Sequence, residues 1–173
     1  MSDAPGQRLL ALWTKLAPLP GGKWLFSRIL ARQVPYTGTI GAVIEELRPG
    51  FARATLRDRR IVRNHLRSIH AVALVNLGEV VSGLAMLTAL PIGVRGIVTG
   101  LAIEYIKKAR GSLTAESHVR LPPIAESQTL GLVAEIRDSD GDVVARATVN
   151  WLVGPDRKLK AAVQSADAPP VHA

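Results

Sequence analysis

The stretch from Ala71 to Leu90, AVALVNLGEVVSGLAMLTAL, decides how the rest of the chain must be arranged. It is apolar nearly all round, which marks a helix enclosed by other elements, because a helix lying on a surface keeps one polar face. Its length invites a membrane-spanning reading. Asn76 and Glu79 lie inside it, however, and an acid near the middle of a span is costly in hydrocarbon. A helix buried in protein is the better reading, and Pro91 and Gly93 stop it. Its polar positions, Asn76, Glu79 and Ser82 or Gly83, recur every three to four residues and so share one stripe. A carboxylate on such a helix is either paired, here with one of the upstream arginines, or carries a raised pKa. The second state is what a general base working near neutrality uses.

Outward from this helix the period changes to two. Downstream, Ile97 to Lys107, Ser112 to Arg120, Thr129 to Asp138 and Val143 to Val153 read as strands, with Asp140-Gly141 as the hairpin turn between the last two. Upstream, Thr39 to Leu47 and Phe51 to Arg57 flank Arg48-Pro49-Gly50 as another hairpin. Ala52, Ala54 and Leu56 alternate there with Arg53, Thr55 and Arg57, as in a half-buried strand. Residues 58 to 70 form an irregular polar connection. Short turns between consecutive strands predict an antiparallel sheet, and an apolar helix needs that sheet wrapped around it. The expected class is α+β, with about six strands around one long central helix. Residues 1–36 form a helical arm, 37–154 the main domain and 155–173 a flexible tail. The arm carries Leu9, Leu10, Leu12, Trp13 and Leu16, then Trp24, Leu25, Ile29 and Leu30, interrupted at Pro18 to Gly22. Packing onto the main body is the commoner fate of such a stripe; contact with a membrane surface is the other.

The 173 residues carry no cysteine, so a disulfide framework, a thiolate nucleophile and a cysteine-based zinc site are excluded. The net charge of +8 is local. Five Lys/Arg face Asp3 alone in residues 1–37, seven Arg face three acids in 38–70, and ten face ten thereafter. Such a field attracts phosphates, anionic headgroups or nucleic acid. With aromatic residues at 4%, the chain lacks the stacking platforms that nucleic-acid binding usually wants, and no such partner is expected. Polar residues at the start, then Lys15, Pro18, Pro20 and Lys23, break any secretory signal, so the expected location is cytoplasmic.

Just before the helix, Asn64 is followed after five residues by His70, and His70 after eight by Glu79. This pattern resembles the hotdog-fold thioesterases of the phenylacetate-degradation (PaaI-like) type. Their motif is Asn, a Gly-containing turn, His-Gly-Gly, then an acid on the central helix. Leu101-Ala102-Ile103-Glu104-Tyr105-Ile106-Lys107-Lys108-Ala109-Arg110-Gly111 is similar to the family's strand after that helix. The resemblance covers about residues 37–153. It is closest to a divergent DUF4442-like branch in which His-Gly-Gly becomes His-Ala and the acid is Glu.

The resemblance implies a hotdog fold and hydrolysis of an acyl-coenzyme A thioester, without metal or redox cofactor. Glu79 would be the base or nucleophile, Asn64 would orient the water or the acid, and His70 would position the loop or the substrate carbonyl. Free backbone N–H groups at a helix start, near Ala71 and Val72, make a ready oxyanion site. Asn76 and Thr99 join the substrate-binding set, and Lys107, Lys108 and Arg110 would hold the coenzyme's phosphates, although a charged turn needs no ligand. Val75, Val80 and Leu84 would shape an acyl tunnel or simply be core. The family's shared sites imply a homodimer or a dimer of dimers, with Glu79 acting from the facing subunit. Two departures stand out: Ala71-Val72 adds two β-carbons where the family has glycines, and Arg67-Ser68 replaces Gly-Thr. The rival reading is a non-catalytic acyl-coenzyme A or lipid binder in which Glu79 is structural.

Overall fold

The computed structural model describes residues 5–156. The expected tail lies almost wholly outside that range. Two arm helices, α1 (Pro5–Leu16) and α2 (Gly22–Gln33), are followed by a single turn, α3 (Pro35–Gly38). The strands β1 (Val43–Arg48) and β2 (Phe51–Leu56) precede the long helix α4 (Ala71–Ala89). After it come β3 (Val94–Tyr105), β4 (Leu113–His118), β5 (Gln128–Arg137) and β6 (Val143–Pro155). All neighbours pair antiparallel, in the order β1-β2-β4-β5-β6-β3. The sheet packs around α4, giving the hotdog arrangement anticipated from the sequence.

The strand expected from Thr39 begins later, at Val43. Thr39 Oγ1 donates to the Tyr36 carbonyl and Gly41 adopts φ 59°, so residues 39–42 turn instead of extending. The Asp140-Gly141 hairpin forms as expected, with Gly141 at φ 87°.

Register explains how α4 can lie so close to the sheet. Ala52, Ser117, Ala134, Ala147 and Ile103 face one another across five adjacent strands. Four of these are small and buried, and they make a shallow trough beneath the helix. Gly78 sits over it; a Cβ there would come within 2.5 Å of the Ala147 Cβ. The sheet covers one side of α4 and α1 packs against another. Gly6 makes that second contact achievable, since any side chain there would overlap the Leu87 carbonyl. Trp13 meets Phe26 edge-on at 5.1 Å, joining α1 to α2. The Ile44 N–H donates to Ser27 Oγ at 2.9 Å, joining α2 to β1. By length and hydropathy α4 could cross a membrane, but most of it is buried within this fold.

Candidate active site

Glu79 owes its place to the stripe it shares with Gly83. One helical turn apart, they face β6, where the Trp151 indole lies across Gly83; a Cβ at Gly83 would stand 3.2 Å from the indole and 3.9 Å from Glu79 Oε1. The carboxylate is half-buried, and among the described residues it has no hydrogen bond and no ion pair. Burial alone pushes its pKa above the ordinary carboxylate value, because a desolvated carboxyl resists ionisation. The buried ion pair with an upstream arginine is absent. Those arginines are held elsewhere: Arg53 by Glu46 and Glu116, Arg63 by Asp58, and Arg59 by the Ile40 carbonyl.

Beside Glu79 opens a cavity of about 470 Å³. Val80, Leu84 and Leu87 of α4 line it together with Trp151, and Val75 does not. The opposite wall comes from the arm: Arg8, Leu9 and Leu12 of α1, Leu30 of α2, and Val34 and Thr37 beyond it. These arm residues were not among the sequence candidates. Their apolar stripe was legible, but the element it would face was not.

The remaining candidates fall in separate places. His70 caps α4, its Nδ1 accepting from the Val72 N–H at 3.1 Å. That occupies one of the two expected oxyanion donors and leaves the Ala71 N–H without an acceptor among the described residues. Asn64 Oδ1 accepts from the N–H groups of Leu66 and Ser68 at 2.9 and 3.1 Å, holding the turn that precedes the helix. In that turn Arg67 adopts φ 56°, so the backbone keeps a left-handed bend where the resemblance expects glycine. Glu79 lies nine positions after His70, about 13 Å along the helix. A single chain therefore does not bring Asn64 and His70 to the carboxylate.

Asn76 is buried and donates to the Tyr36 carbonyl at 3.3 Å, tying α3 to α4. Thr99 is the extra residue of a bulge in β3 and donates to the Asn150 carbonyl. Lys107 is committed to Asp138 and Asp142, at 2.8 and 2.7 Å, which raises its pKa. Lys108 and Arg110 are exposed and have no such partners among the described residues.

A family model described as "Domain of unknown function (DUF4442)" matches residues 22–153, most of the chain. The chain belongs to the DUF4442 family. No curated protein matches it. Among solved structures, a structural-genomics protein designated APC5556 is 27% identical with a TM-score of 0.74, over 86% of this chain and 99% of that one. A Pseudomonas aeruginosa protein, PA5026, called a probable thioesterase, is 22% identical with a TM-score of 0.68, over 79% and 97%. The thioesterase HI1161 from Haemophilus influenzae is 16% identical with a TM-score of 0.61, over 70% and 84%. These likenesses establish the hotdog fold of this DUF4442 member; α1, which supplies one wall of the cavity, lies outside the matched family region.

Proposed function

We propose that this protein hydrolyses an acyl thioester, with acyl-coenzyme A as substrate and Glu79 as general base or nucleophile. The observation that carries this reading is a half-buried carboxylate, unpaired among the described residues, bordering a mostly apolar cavity. Such an acid has the raised proton affinity that lets it take a proton from water near neutral pH, and an apolar cavity suits an acyl tail. PA5026 and HI1161, which share the fold, are called probable thioesterase and thioesterase.

The complete site is shared between two subunits, Glu79 from one and the Asn64–His70 turn from the other. β3 supports this: it is a twelve-residue edge strand, and Leu101 and Tyr105 on it, with Val72 beside them, are half exposed. A long apolar edge is a template for pairing with another copy. Of the three candidate cations, Lys108 and Arg110 are the two without an ion pair among the described residues and would meet phosphates. The arm's outer face, with Trp24 and Leu25 exposed beside Arg28, is where contact with a membrane surface would occur.

The test is thioester hydrolysis over a series of acyl-coenzyme A chain lengths. Wild type is expected to turn over, and Glu79→Gln to fall by about 10²–10⁴-fold, the usual contribution of a positioned base, while its circular dichroism stays native. Binding without turnover in both proteins would leave the non-catalytic binder as the answer.

A further inference from the structure

The cavity beside Glu79 is half built by a segment outside the matched family region, and its shape has a direction. Along α4 its lining runs from Glu79 to Leu87, eight residues and about 12 Å of helix. The carboxylate stands at one end. Toward the other, Gly6 brings α1 down onto the backbone of Leu87, closing the space between the two helices. The apolar lining includes Leu9 and Leu12 from α1 and Val80 and Leu84 from α4, with Arg8 of α1 also on the wall. Leu9 and Leu12 are only partly buried. They pack against the core and also line the cavity, and a well-packed interior has few voids larger than a water.

We infer that α1 is the distal wall of an acyl-tail subsite, and that Leu9 and Leu12 set the length of tail accepted. This rests on the thioester reading of Glu79 and adds the part of the substrate that the reading leaves open. The chemical match is to an amphiphile whose reactive polar end sits at the carboxylate and whose tail lies between two leucine-lined helices. Where Gly6 of α1 meets the Leu87 backbone, the two helices leave no room for further carbons between them.

The experiment uses full-length Leu12→Trp, which fills the subsite, and Leu12→Ala, which deepens it, with Leu9→Trp as an independent filling variant. Two readouts are taken on one chain-length series: kcat/KM for acyl-coenzyme A, and affinity for the matching non-hydrolysable thioethers by calorimetry. The filling variants should lose about tenfold or more per excluded methylene for the longer chains, with the shortest chains unchanged, and Leu12→Ala should move the optimum to longer chains. If wild type binds the thioethers with a chain-length optimum but hydrolyses nothing, the catalytic reading fails, and the thioether affinities alone decide this one. If folded filling variants keep the wild-type chain-length profile in both readouts, α1 is not the wall and the inference is overturned. Should Leu12→Trp fail to fold, Leu9→Trp and Leu12→Ala carry the same comparison.

Discussion

At Glu79 the desolvation that supports the proposed role as a base also sets a pH dependence of stability. Burial raises its folded pKa above the ordinary 4.5, so the folded chain holds this proton more tightly than the unfolded chain does. The resulting contribution is complete below the unfolded pKa and is lost as pH rises through the folded one. Glu79→Gln cannot ionise. It is therefore expected to be more stable than wild type at neutral pH, with the gap closing as pH falls below the ordinary carboxylate range. Urea midpoints at neutral and acidic pH check this, and an equal gap at both would contradict it. The sequence offered two fates for this residue, a buried ion pair or a raised pKa. Spacing along one helix could not choose between them, because the choice depends on which carboxylates capture the arginines of β2 and of the turn before α4.

Helix α4 and its trough belong to the scale of elements. Gly78 lies where the helix meets a row of small side chains, and replacing it with Ala should raise intrinsic helix propensity by about 1 kcal/mol. The added carbon would stand 2.5 Å from the Ala147 Cβ, however, and overpacking of this kind costs about 1–3 kcal/mol. Gly78→Ala is expected to destabilise the protein in denaturant titrations, with Ala147→Gly restoring part of the loss in the double variant. Additive losses would mean that the two positions do not touch. That α4 is buried was legible from its composition alone. The glycine's role was not, since it comes from packing α4 onto Ala147 of β6, far along the chain from Gly78.

For the whole molecule, the shared site proposed above rests on the roughly 13 Å along the helix between His70 and Glu79, which would make one chain carry two half-sites. A shared site makes a specific prediction for mixed dimers. Glu79→Gln and His70→Ala, each inactive alone, are expected to recover activity when co-expressed, because a mixed dimer contains one site in which both residues are native. Co-purified mixed dimers without activity would place both residues in the same site or remove His70 from the chemistry.

Hydrophobic period and turn chemistry by themselves determined the antiparallel sheet, the enclosed helix, the amphipathic helical arm and the acid set in apolar surroundings, because each follows from patterns within a few residues. Only the tertiary structure decided that Glu79 stays unpaired, that His70 spends its ring nitrogen on capping α4, and that Leu9 and Leu12 face a cavity. Those outcomes depend on competition among groups far apart in the chain, and side-chain partners are chosen only once the sheet and α1 have closed around the helix.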